Sequence, residues 1–184
     1  AGFGVDCIRA AVADASATII LARNAPCVGT VVDTIAVQGF DEFVLGDWKA
    51  RVSHALLGKL RARRTAKIPN ETGGVLIGSV DAFHQTLHVV GHFSDIPDSI
   101  EKPHMFQRGL IGVDTELRRV QQQTRGALVY VGEWHSHPPG SSAAPSGTDV
   151  IQLAGLATIT RYDDRPALSL IVAESGEQMM LGQV

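Results

Sequence analysis

The sequence predicts an α/β fold, a mixed β-sheet flanked by helices. Short runs rich in β-branched residues alternate with segments whose apolar residues recur at helical spacing, the pattern of a layered domain. The last two β-rich runs, "PALSLIVAES" and "QMMLGQV", lie close enough to pair directly, so the sheet is expected to be mixed. No internal repeat or heptad series competes with this reading.

Residues 1–45 contain "ATIILA" and "GTVVDTIAV", two expected strands, divided by "RNAPCVG", whose Pro and Gly mark a turn. Asp47 is the expected N-cap of a helix through "WKARVSHALLGKLRARR", where Val52, Leu56, Leu57 and Leu60 fall at helical spacing. Its basic end, "RARRTAK", reads as a solvated face whose cations suit the helix C-terminus. Beyond Pro69, "GGVLIGSV" and "QTLHVVGHF" predict a hairpin or neighbouring strands. "SDIPDSIEKPHMF", polar and cut by Pro97 and Pro103, reads as a loop. Leu110, Val113, Leu117 and Val120 form one helical stripe over residues 107–124, ended by Gly126. "ALVYVGEWHSHP" is then a strand, "GTDVIQLAGLATI" a helix, and the two closing runs are strands. Residues 47–184 are the expected main domain. Residues 1–46 form an N-terminal segment, either an extra strand pair or the tail of an upstream neighbour, and a chain opening at Ala1 is expected to be a piece of something longer.

A length of 184 residues suits one main domain with a real core. A net charge of −3, with 45% hydrophobic and 19% charged residues, fits a globular chain and argues against nucleic acid as a partner. No run approaches the roughly 20 apolar residues of a membrane span, and no leader-like segment opens the sequence, so a cytoplasmic protein without a membrane partner is expected. Cys7 and Cys27 belong to no CxxC pair and are expected to be buried, reduced thiols.

The chemistry concentrates in "GEWHSHPPGSSAAPSGTDV", residues 132–150. Alternate residues of a strand share a face, so His135 and His137 project together with Cα atoms roughly 7 Å apart, a spacing for two ligands on one ion. Imidazole suits zinc, and a catalytic zinc typically has three protein ligands and an open fourth position. Asp149 is the candidate third ligand: Pro145 and Ser146 look like a helix entry, and the loop 138–144 gives the chain slack to fold back over the strand end. Ser-x-x-Asp before an apolar run is also the pattern of a capping box, with no metal role. Two same-face histidines immediately upstream tip the reading towards metal. A hydrolytic zinc site needs a base for its water, and both Glu133 and Glu71, in "NETGGVLIG", qualify; spacing alone favours Glu133.

Together "ETGGVLIG", "HSHP" and "PSGTD" resemble the signature of the JAB/MPN/JAMM zinc metalloprotease domain of ubiquitin-type isopeptidases, in its bacterial type. The resemblance covers about residues 48–184 and implies a layered architecture like that of cytidine deaminases. It implies one zinc ion held by His135, His137 and Asp149, with Glu71 as the base, Ser146 helping to stabilise the oxyanion and Glu133 a structural neighbour. The implied reaction is hydrolysis of the amide bond after the C-terminal glycine of a ubiquitin-like protein, in deconjugation or precursor processing. The loop Ser94 to Met105 would shape the substrate groove, and a ubiquitin-activating-type module, fused or separate, is an implied partner. One departure is visible: residues 138–148 place eleven residues between His137 and Asp149 where the family usually has ten.

Other signals are weaker. His84, His88 and His92 would line up on a helix, but Val-Val-Gly is poor helix sequence and on a strand they spread over roughly 13 Å. "AGFGVDC" lacks the third glycine of a nucleotide loop, and the Cys-x-x-Cys of a zinc deaminase is missing. The alternatives to an isopeptidase are a non-catalytic scaffold of the same fold and a metal-dependent peptidase acting on a sulfur-carrier-like protein.

Overall fold

The computed structural model describes residues 9–13, 16–25, 29–161 and 165–183, with backbone alone for 9–38. Cys7, Cys27, "AGFGVDC" and residues 26–28 of the expected first turn lie outside the described residues. Where two strands were expected in residues 1–45 there are four: β1 (Arg9–Ala13), β2 (Ser16–Ala25) and β3 (Gly29–Gln38) form an antiparallel sheet in that order, and a fourth, at Phe40–Leu45, joins the main sheet.

The largest correction falls at Trp48. In "WKARVS" the residues Trp48, Ala50 and Val52 are buried while those between them are not, a period of two that makes a strand. β4 (Phe40–Leu45) and β5 (Trp48–Ser53) pair antiparallel, so Asp47 sits in the hairpin turn and caps no helix. Helix α1 (His54–Lys67) starts instead behind Ser53, whose hydroxyl accepts from the Leu56 N–H at 3.1 Å. Leu56, Leu57, Leu60 and Arg64 form its buried face. The basic end is only in part a solvated face: Arg61 is exposed and pairs with Glu177, Arg63 pairs with Asp95 and Lys67 with Glu101, while Arg64 is buried.

β6 (Gly73–Asp81) and β7 (Thr86–Phe93) form the expected antiparallel hairpin. The segment read as a loop carries a small hairpin of its own, β8 (Ile100–Lys102) and β9 (Met105–Gln107). Pro103 is tolerated because it occupies the connecting turn, where no ladder N–H is required. Helix α2 (Val113–Gln123) begins later than expected and leaves Leu110 exposed; Gly126, at φ 80°, then donates its N–H to the Gln121 carbonyl and closes the end. β10 (Val129–Ser136), α3 (Gly147–Thr160), β11 (Ala167–Ala173) and β12 (Gly176–Gly182) complete the chain.

Seven strands make the main sheet in the order β12-β11-β10-β6-β7-β5-β4. β10 and β11 are parallel, with α3 as their crossover, whereas β11 and β12 pair antiparallel, so the sheet is mixed and flanked by helices as the sequence predicts. β11 is buried along its whole length because both faces are covered. Leu168, Leu170 and Val172 join the core with Leu57, Leu60 and Trp134, while Ala167 packs on Leu153 and Ala157 of α3. Among the described residues no helix is long and apolar enough to cross a membrane.

Gly73 shows how tightly the strand beside β10 is packed. A Cβ there would lie 2.3 Å from the Trp134 carbonyl oxygen and 2.4 Å from the Phe106 ring. Gly73→Ala is accordingly expected to cost about 1–3 kcal/mol, the scale of overpacking. Denaturant unfolding would measure it, and an unchanged midpoint would contradict the packing described.

Candidate metal centre

The end of β10 delivers two histidines to one place. His135 is held on both sides, its Cα opposite Gly73 of β6 and Ile171 of β11. Between the histidines, Ser136 points into the protein: its N–H donates to the Thr72 carbonyl at 2.7 Å and its Oγ accepts the Thr72 N–H at 3.0 Å. His137 lies one residue beyond β10 and donates its N–H to the Val172 carbonyl at 3.0 Å. Alternation then sends both rings to the same side, with their Nε2 atoms 3.3 Å apart. The side chains are only 12% and 11% exposed.

The tautomer of His137 follows from its other nitrogen. Nδ1 lies 2.7 Å from the Ser142 carbonyl, which can only accept, so Nδ1 carries the hydrogen and Nε2 the lone pair. Ser142 belongs to the loop between β10 and α3, the segment with the additional residue, and that loop is part of the site's support. Asp149 arrives from the other direction on the first turn of α3. Its Oδ1 is 3.1 Å from His135 Nε2 and its Oδ2 is 3.7 Å from His137 Nε2.

The capping and metal readings of Ser-x-x-Asp are compatible. The Asp149 N–H donates to Ser146 Oγ at 3.3 Å, and the Ser146 N–H donates to Asp149 Oδ2 at 2.6 Å, a complete capping box. The same carboxylate still meets both histidines. Burial pushes the Asp149 pKa up, but the hydrogen bonds it accepts from His135 and Ser146 outweigh it and hold the carboxyl well below its ordinary range, in the ionised form a metal requires.

Ligand atoms of His135, His137 and Asp149 all lie within 4.8 Å of one another, and among the described residues no other group of three or more metal-capable side chains converges this way. Two imidazole nitrogens and one carboxylate oxygen form a donor set suited to zinc. The His84, His88, His92 series is not gathered: His84 is bonded to Asp81, and His92 contacts Ser94 and the edge of Trp134.

Glu71 reaches the same place from the segment before β6. Its N–H donates to the Lys102 carbonyl of β8 at 2.9 Å, and the neighbouring Thr72 hydroxyl donates to Glu101 at 2.6 Å. Glu71, both histidines, Asp149 and Ser146 line one groove of about 490 Å³. Burial raises the Glu71 pKa and the charge of Asp149 adds to this, while the two histidines pull the other way. Glu133, favoured by spacing, instead accepts from Arg108 Nε at 2.7 Å and from the Tyr130 hydroxyl, and lines a small cavity on the other side of His135 and Phe106 that the groove does not include. Spacing along one strand is blind to the strand paired beside it, which is what brings Glu71 to the groove.

Of the loop Ser94 to Met105, His104 and Met105 line the groove, and the wall continues into Phe106 and Gln107, which the sequence reading did not reach. Thr148 and Gln152 of α3 line it as well. Arg64 was missed too: its Nε donates to the His137 carbonyl at 3.0 Å. A signal was present, since Arg64 continues the buried stripe of Leu57 and Leu60 at helical spacing.

Comparison with known proteins shows the family. The family described as prokaryotic homologs of the JAB domain matches residues 53–181. A protein of Enterobacter hormaechei subsp. hoffmannii (strain UCI 50) named "CD-NTase/cGAS isopeptidase" is 39% identical over 93 residues, 50% of this chain and 49% of that one. A protein of the same name from Pseudomonas aeruginosa (strain BWHPSA011 / Pa011) is 32% identical over 107 residues, 57% of this chain and 64% of the relative. In both comparisons the match spans less than two thirds of the relative's length. Among solved structures, a protein from Desulfitobacterium hafniense aligns at 20% identity over 70% of this chain and 87% of that one, with a TM-score of 0.44.

Proposed function

Since this chain belongs to the prokaryotic homologues of the JAB domain, we propose that it is a zinc-dependent isopeptidase cleaving the amide bond after the C-terminal glycine of a ubiquitin-like protein joined to an amine. The observation that carries this reading is the convergence of His135, His137 and Asp149 in a groove that also holds Glu71. Residues 47–184 would be the catalytic domain, with 1–46 an N-terminal segment whose β4 is the outer strand of the main sheet.

His135, His137 and Asp149 would hold the ion. When bound, zinc supplies a Lewis acid for the scissile carbonyl and lowers the pKa of a coordinated water towards neutrality. Glu71 accepts the water proton on a carboxylate oxygen and returns it to the nitrogen that leaves as a free amine. Ser146 Oγ already accepts from the Asp149 N–H, so its own hydrogen is available to donate to the oxyanion developing on the carbonyl. No side chain forms a covalent intermediate: water adds to the carbonyl carbon and the C–N bond breaks.

The names of the relatives support an isopeptide bond as the target and offer a CD-NTase as the conjugated protein. A ubiquitin-activating-type module is a fitting partner, because activating a C-terminal carboxylate is the step that precedes the bonds this chain would undo. The substrate tail should end in small residues, since a bulky side chain at the scissile bond would collide with the ion's ligands and Ser146. The test is a panel of ubiquitin-like fusions with Gly-Gly or Leu-Leu junctions, incubated with zinc-loaded protein. Cleavage should favour Gly-Gly on the order of a hundredfold; equal cleavage of both junctions, or none of either, would overturn the proposal.

A further inference from the structure

We propose that Arg64 is a positioning residue for the metal ligand His137, a role that rests on the metal reading above. Arg64 lies on the buried face of α1 and is 7% exposed. Its Nε donates to the His137 carbonyl at 3.0 Å, whereas its buried Nη2 has no hydrogen-bond partner. A largely buried guanidinium whose Nη2 hydrogens meet no protein acceptor is an unfavourable way to fill a core position, where a hydrophobic residue would pack at lower cost. What it does hold is the backbone of a candidate ligand.

His137 needs such a hold because it lies past the end of β10. Pro138 follows it and has no N–H, so the ladder cannot continue through the next residue. Three bonds fix His137 instead. Its N–H goes to Val172, its carbonyl takes Arg64, and its Nδ1 meets the Ser142 carbonyl at 2.7 Å, leaving Nε2 to face Asp149 and His135. The Arg64 bond is the one that fixes the peptide following the ligand. It also sets the direction in which the chain departs towards Ser142, so its loss loosens the ring at two points. Metal sites tolerate ligand displacements of only about 0.2 Å, so small drift at His137 is felt as lost affinity.

The experiment measures zinc affinity by competition with a chromophoric chelator, alongside thermal unfolding without metal, for the parent, Arg64→Met, Arg64→Lys and Leu57→Ala. Arg64→Met keeps length and apolar packing but removes the donor. It is expected to unfold at or above the parent's temperature while binding zinc about 10–100-fold more weakly, the usual range for groups that orient a ligand. Leu57→Ala, a cavity in the same helix, is expected to do the opposite: a lower unfolding temperature and unchanged zinc affinity. Arg64→Lys keeps the charge without the Nε geometry and should fall between parent and Arg64→Met. Parent-like affinity in folded Arg64→Met, or equal weakening by Leu57→Ala, overturns the proposal. Should Arg64→Met not fold, parent-like affinity in Arg64→Lys overturns it. A parent that binds no zinc defeats the metal reading as well, whereas a zinc-binding parent matched by Arg64→Met defeats the role of Arg64 alone.

Discussion

Glu71→Gln is expected to fold, to bind zinc as the parent does, and to lose on the order of a hundredfold or more in hydrolysis, the scale of a missing general base. The substitution leaves the shape of the side chain almost unchanged. The backbone that places it is held through the Lys102 carbonyl and the Thr72 to Ser136 bonds, none of which uses the carboxylate. What disappears is the ability to take a proton. Glu133→Gln is the matched control. It weakens the pairing with Arg108, a partly exposed ion pair worth about 0–1 kcal/mol, and should cost little in rate. If folded, zinc-loaded variants ranked the other way, Glu133 would have to replace Glu71 as the base.

The second large effect is loss of the ion. His135→Ala and His137→Ala should each reduce a content of about one zinc per chain to near none and bring hydrolysis to background, because a three-ligand site cut to two no longer outcompetes water. Asp149 calls for a subtler choice. Alanine there would remove the acceptor of the Ser146 N–H along with the ligand and mix helix destabilisation into the result. Asp149→Asn keeps an oxygen for that N–H and discards the charge, so it should unfold below the parent but above Asp149→Ala, and fail to retain zinc. Elemental analysis decides the matter: a zinc-supplied parent devoid of divalent metal would hand the reading to a non-catalytic scaffold.

Motif and period carried most of the architecture. The β6–β7 hairpin, β10, α3 and the β11–β12 pair were legible because each has an unbroken apolar pattern and its own turn chemistry. Trp48–Ser53 was not, since Val52 belongs both to an alternating strand and to the helical stripe of Leu56 and Leu60, and only burial of Trp48 and Ala50 separates the two. The histidines and Asp149 were legible as candidates because spacing within one strand and one helix turn is local information. The separation of Glu71 from Glu133 depends on which strand pairs with β10, a non-local fact that the residues alone left open. Arg64 was hidden by its charge: hydropathy assigns an arginine to solvent, and the carbonyl it serves lies far along the chain.

The capping box ties the ion to the helix in a further way. One carboxylate would complete the ligand set and also closes the first turn of α3, and Thr148 and Gln152 on those early turns form part of the groove wall. Chelation would therefore do more than stop the chemistry. If an ion binds there, its removal would leave only the capping box and the His135 contact to hold the start of α3, and that bank of the groove would open more readily. By the reciprocity of linked equilibria, a tail bound firmly in the groove would hold α3 in place and slow the escape of the metal. Substrate would in this sense act as a lock on the cofactor, most secure during turnover and weakest at rest.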